Sequence, residues 1–302
     1  MDATQVSALS VTQVAALTTT QLKGLSTTDI GELATTQVAA LSAAQLGALS
    51  ATNFSALSAT QVGALSVTQV KGVTVDQIKG LTTTDIGELA DTQVGALNTS
   101  QIGALVTTQA QQLSTTQLAS LASTQVAALG ASNFSALNAT QVGSLTETQV
   151  KGLTTSQLAA LTATDVGEMA STQVAALSAT QLGALSATAF SALDATQVAT
   201  LSTTQVKGLT TTQLKALSAT DIGELADTQV GALTTSQLAG VTATNISALN
   251  ATQAAALSAT QIKGLTADQL KGLSTTDIGE LADTQVAALS ADQLKNLSAT
   301  NV

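Results

Sequence analysis

Three carboxylates fall within seven residues at Asp85, Glu88 and Asp91, and the pattern D-x-G-E-x-x-D returns at Asp221, Glu224, Asp227 and at Asp277, Glu280, Asp283. Clustered carboxylate oxygens are the chemistry of a calcium site. The spacing is not that of an EF-hand loop, and the copies that begin at Asp29 and Asp165 lack the final Asp. Helix capping accounts for the first Asp of each cluster, and a place in a first helical turn accounts for the last, where negative charge suits the helix dipole. No metal ligand is therefore assigned. The three aromatic residues, Phe54, Phe134 and Phe190, are expected in a core, with display on a binding surface as the other use.

Catalysis finds few candidates. The chain has no His, Cys, Tyr, Trp, Arg or Pro. Ser and Thr are abundant, but no imidazole is available to activate them. No catalytic, cofactor-binding or metal residue is assigned, no cofactor is expected, and the chain is read as not an enzyme. Nine Lys against 19 acidic residues give a net charge of −10, which disfavours nucleic acid, since phosphate contacts need clustered cations. Without Cys there is no disulfide and no indication of redox compartment. No run of about 18 apolar residues occurs, so no membrane insertion is expected. The opening MDATQVSALS has neither a basic segment nor an apolar stretch of the kind a cleaved secretion signal carries.

Whatever the polar residues do, an eight-residue period positions them. From Gln5 to Asn301, every eighth residue is Gln, Asp or Asn in 37 of 38 cases, Ala189 being the exception. A large aliphatic residue or Phe nearly always follows, and Leu comes three residues later. In Ser10-Val11-Thr12-Gln13-Val14, Ser10 reads as a helix N-cap and Gln13 as N3, which makes a capping box. Leu9 and Val14 are then the two halves of a hydrophobic staple. Ser, Thr, Asp or Asn holds 30 of the 38 cap positions. One cap is worth about 1 kcal/mol. A continuous helix is disfavoured, because eight residues advance about 80° beyond two full turns and would spiral the aliphatic residues around its surface. The expected fold is all-α: a solenoid of very short capped helices, one per octad. A β-solenoid is the alternative, suggested by the Val, Thr and Ile content. Its Thr runs, such as Thr18-Thr19-Thr20 and Thr82-Thr83-Thr84, would then resemble the ice-binding ladders of β-solenoid antifreeze proteins.

A longer period overlies the octad. D-I-G-E-L begins at Asp29, Asp85, Asp221 and Asp277, and D-V-G-E-M at Asp165, with steps of 56, 80, 56 and 56 residues. The chain reads as one continuous solenoid, 1–302, with super-repeats at about 2–57, 58–113, 138–193, 194–249 and 250–302 and an insertion at 114–137. Seven octads per super-repeat and three in the insertion suggest a structural step of a single octad. The longer period would then record duplication, a surface feature or a partner's spacing. After each D-[IV]-G-E the cap is Ala, at Ala34, Ala90, Ala170, Ala226 and Ala282. Ala cannot cap, so the helix is expected to run on or bend differently there. Lys23, Lys79, Lys215 and Lys271 each lie nine residues before a Glu of that motif, a spacing that suggests surface pairing.

The run L-[ST]-x-[TS]-Q-[VIL]-x-[AG]-L resembles the octapeptide-repeat tracts of large bacterial proteins secreted or displayed on the cell surface, over essentially the whole chain. The resemblance implies a long structural or adhesive tract and an extracellular or cell-surface location, and it supplies no catalytic residue. The L-T-x-x-Q-V start also looks like the first helix of transcription-activator-like effector repeats. Those units are over four times longer and bind DNA, and this acidic chain departs from them. Both ends, at Met1 and Val302, fall inside an octad with no polar capping unit, as expected of a fragment or of a self-assembling filament. The function expected is a spacer or scaffold, whose partners are further copies of itself or cell-surface components. The alternative is an adhesin-like array binding a repetitive ligand, a surface or calcium.

Overall fold

A capping box opens most of the helices. In a computed structural model, Ser10 takes an extended conformation (φ −68°, ψ 157°), its side chain accepts from the Gln13 amide, and its own amide donates to Gln13 Oε1 at 2.7 Å. The first helical bond, Val14 N–H to the Ser10 carbonyl, follows at 3.0 Å, and Leu17 N–H to the Val14 carbonyl closes the last turn at 3.1 Å. The same restart recurs at later caps, as at Thr18 (φ −73°, ψ 156°), Thr74 (φ −81°, ψ 159°) and Ser178 (φ −71°, ψ 162°). An extended residue breaks the helical hydrogen-bond ladder, and a hydroxyl satisfies the amide it exposes.

The structure describes residues 3–298, within two compact units, Met1–Leu153 and Thr154–Val302. The chain ends at Met1 and Val302 lie outside the described residues. Both units are built the same way. Among the described residues there are 37 helices of four to six residues, from Ala3–Ser7 to Ala291–Leu294, and no strand. The fold is an all-α solenoid, and the β-solenoid alternative is set aside together with its Thr ladders. Thr18, Thr19, Thr20 and Thr82, Thr83, Thr84 are exposed, with Thr18 and Thr82 serving as caps.

Side chains one and four places after the Gln position form the core. Val14, Leu22, Ile30, Leu118 and Leu182 are fully buried, and the Leu of most octads is nearly so, as at Leu57 and Leu201. Within each unit most helices pack on the one three places later, for example Ala51–Ser55 on Val75–Gly80 and Ala179–Ala184 on Thr203–Lys207. Small residues let the backbones approach. A Cβ added at Gly72 would stand 2.6 Å from Ala43 Cβ, and one at Gly208 would stand 2.6 Å from the Ala179 carbonyl oxygen.

One expectation is corrected. Ala34, Ala90, Ala170, Ala226 and Ala282 keep the ordinary extended cap, with φ between −67° and −64° and ψ between 149° and 154°. The helix neither runs on nor bends away. The N3 amide that lacks a hydroxyl turns to the cap residue's own carbonyl, as Gln93 N–H does to Ala90 at 2.9 Å, while Gln93 Oε1 still accepts the Ala90 amide at 2.8 Å. A tight bond of the 3₁₀ kind thus replaces the lost side-chain bond. The distinct bend lies at Gly130, which has φ +73° and follows Leu129 in a helical conformation. Positive φ at that octad joint is a conformation that glycine adopts without a Cβ clash.

The Gln side chains also relate successive turns. Gln side chains reach the Leu carbonyl 28 residues back, as Gln77 does to Leu49 and Gln213 to Leu185. That Leu lies at the boundary between the octads three and four places earlier. Other bonds between turns span 30 or 31 residues, as Ser191 to Asp221 and Gln77 to Leu46, and helices pack three octads on, so one turn of the coil takes between three and four octads.

Candidate functional site

The residue at each N3 position does more than cap. Gln69 Oε1 accepts the Ser66 amide at 2.8 Å, while its Nε2 donates to the carbonyls of Leu41 at 2.8 Å, Val38 at 3.1 Å and Ala39 at 3.3 Å. Gln77 does the same between Thr74, Leu46 and Leu49. The Gln side chain accepts and donates without charge and is one carbon longer than that of Asn. Its amide satisfies the carbonyls that the end of a short helix leaves open, and so it links each turn to the one before. Gln77, Gln101, Gln109 and Gln213 are only 1% exposed, and among the described residues no buried side-chain nitrogen or oxygen lacks a partner. Sequence reasoning found the capping half of this role and missed the link between turns. The signal was present in the preference for Gln over Glu, since a capping box accepts either.

The Asp and Asn variants change the link. Asn53, Asn133 and Asn245 donate to the Leu25, Leu105 and Leu217 carbonyls at 2.8, 2.6 and 2.6 Å. An Asp carboxylate has no hydrogen to give. Asp85 accepts the Thr82 amide at 2.7 Å and the Ser55 hydroxyl, and Asp221 accepts the Ser218 amide at 2.7 Å and the Ser191 hydroxyl at 2.8 Å. Ser247 donates to Asp277 in the same way. At Asp29, the Ser26 backbone amide at 2.8 Å and then the Ser26 hydroxyl at 2.7 Å hold the carboxyl below its ordinary value.

The acidic cluster does not converge. Asp85 is buried at N3, Glu88 ends its helix half-buried, and Asp91 is exposed in the next helix, where it accepts the Thr116 hydroxyl at 3.1 Å. Among the described residues no three His, Cys, Asp or Glu side chains gather as a metal site would require. Phe54, Phe134 and Phe190 are buried, so none is displayed on the surface. Lys23, Lys79, Lys215 and Lys271 are exposed and form no ion pair with the Glu nine residues on. An ion pair among the described residues joins Lys295 to Asp292 at 3.0 Å, both well exposed, a geometry worth little. The larger hollows are open grooves, such as one of about 500 Å³ bordered by Ser114, Thr115 and Asn138, which brings together hydroxyls and amides but no activated nucleophile. No helix among the described residues is long and apolar enough to cross a membrane.

No protein-family model matches the chain, and no curated protein matches it.

Proposed function

We propose that the chain is a non-catalytic structural tract, a spacer or scaffold in a surface or secreted bacterial protein. The observation that carries this reading is the Gln ladder. The buried polar side chain of each ordinary octad is committed to its own cap and to the preceding turn, as at Gln69 and Gln77. Such a ladder stabilises by repetition, since each bond contributes only about 1 kcal/mol net and each octad gains from its neighbours. The contact is heterologous, one face meeting a different one, so it also supplies a geometry for end-to-end assembly of copies. Repetition of the sequence along the whole chain favours length as the property selected.

Replacing the tract in its parent protein by an unrelated helical repeat of equal length tests the reading. A spacer is expected to tolerate the exchange, whereas loss of function would overturn the proposal in favour of a binding array. Protease accessibility of a tagged chain on intact cells reads the location. Sedimentation velocity across a wide concentration range reads assembly, and calorimetric calcium titration reads the adhesin-like alternative.

A further inference from the structure

In the unit Thr154–Val302 the Asp and Asn octads stand in one column. Helix Ala163–Gly167 packs on Ala187–Phe190. Ser191 then bonds Asp221, helix Ala219–Gly223 packs on Ala243–Ser247, and Ser247 bonds Asp277. Along this column the full-length amide is missing. Asp221 and Asp277 offer no hydrogen, Ala189 offers no polar group, and Asn245 reaches the Leu217 carbonyl alone. Elsewhere in the unit, Gln213 reaches the Leu182 and Leu185 carbonyls, and Gln229 those of Val198 and Leu201.

Two further observations fall on the same column. A cavity of about 10 Å³ lies among Leu193, Leu217 and Asp221, and one of about 20 Å³ lies among Leu249, Leu273 and Asp277, the same positions 56 residues later. Each has room for a single water. Gly223 and Gly279 face open space and a Cβ at Gly167 would stand 3.7 Å from the Ala192 carbonyl, whereas in the same unit a Cβ at Gly183 or Gly231, the same place in Gln octads, would come within 2.6 or 2.9 Å of the next turn's carbonyl.

We propose that this column is a seam at which successive turns part first, so that the coil opens in 56-residue steps between stiffer Gln-linked segments. A Gln link joins a side chain to two or three backbone carbonyls with close packing around it. The seam joins turns by one hydroxyl–carboxylate bond beside a void at Asp221 and at Asp277, and by a single amide bond at Asn245, so opening it breaks fewer bonds to the backbone than a Gln link does. The inference concerns mechanics alone and stands whether or not the chain is a spacer.

Hydrogen exchange on the intact chain, read by mass spectrometry, tests it. Peptides covering 190–194 and 219–225 are expected to exchange about tenfold or more faster than those covering 203–209 and 227–233. Equal protection of the two sets would overturn the proposal. The double variant Ser191→Ala, Asp221→Gln restores an ordinary link and is expected to bring 219–225 to the protection of its neighbours. A variant with unchanged circular dichroism and no gain in protection would also overturn it. Should the variant fail to fold, the comparison within the natural chain still decides.

Discussion

Ser191 donates its hydroxyl to Asp221, 2.8 Å away and 30 residues later in the chain. The same 30-residue spacing joins Ser55 to Asp85 and Ser247 to Asp277. It also separates Ser135 from Asp165 in the sequence. Ser appears at that octad position five times, and four of those precede an Asp by 30 residues. A carboxylate that cannot donate is thus matched with a hydroxyl that can. Replacing Ser191 by Ala leaves Asp221 without its partner in the neighbouring turn.

The Gln link gives the most direct stability test. Gln77→Glu keeps the shape and the acceptor for Thr74 but removes both hydrogens given to Leu46 and Leu49. It also puts a charge where 1% of the residue is exposed. A loss of about 3 kcal/mol at neutral pH is expected in denaturant titration. Partial recovery in acid, as the new carboxyl takes up a proton, distinguishes charge burial from a change of shape.

Ala caps are places where the chain gains from a single hydroxyl. At Ala90 the backbone is already in the extended cap conformation. Ala90→Ser is expected to raise stability by about 0.5–1 kcal/mol, seen as a higher melting temperature. A lower melting temperature would show that the tight Gln93-to-Ala90 bond is the better arrangement.

Glycines of one sequence type separate into three outcomes. Gly87 faces open space, so Gly87→Ala is expected to stabilise by about 0.5–1 kcal/mol through helix propensity. Gly72→Ala drives its Cβ to 2.8 Å from the Ala43 carbonyl oxygen and is expected to destabilise. Gly130→Ala costs about 1–2 kcal/mol at φ +73°, although nothing stands within 4 Å of the new methyl. Thermal melts of the three variants are read side by side.

Asp29 gives an acid dependence of known sign. Its carboxyl ionises below the ordinary carboxylate range because the Ser26 amide and hydroxyl bond the charged form. A depressed folded value means that its contribution is complete above the unfolded value near 4. The contribution is lost as pH falls through the lower folded value. Asp29→Asn is expected to flatten the acid limb of stability measured between about pH 2 and 5. An unchanged acid limb would show that this carboxylate does not contribute.

Much of the fold is legible in the residues themselves. The box formed by Ser10 and Gln13 is local chemistry within four positions, and it alone dictates short helices restarted every eight residues. Burial of Val14 and of its equivalents in most other octads follows from the same spacing. Folding in three dimensions decided the rest. Which carbonyl Gln77 reaches, and hence that a turn takes between three and four octads, depends on how the backbones at Gly72 and Ala43 come together. The pairing of Ser191 with Asp221 follows from that geometry. Local sequence specifies hydrogen bonds within a turn because their partners are covalently near. Bonds between turns are fixed by the pitch of the coil, which arises only when the side chains of many octads pack at once.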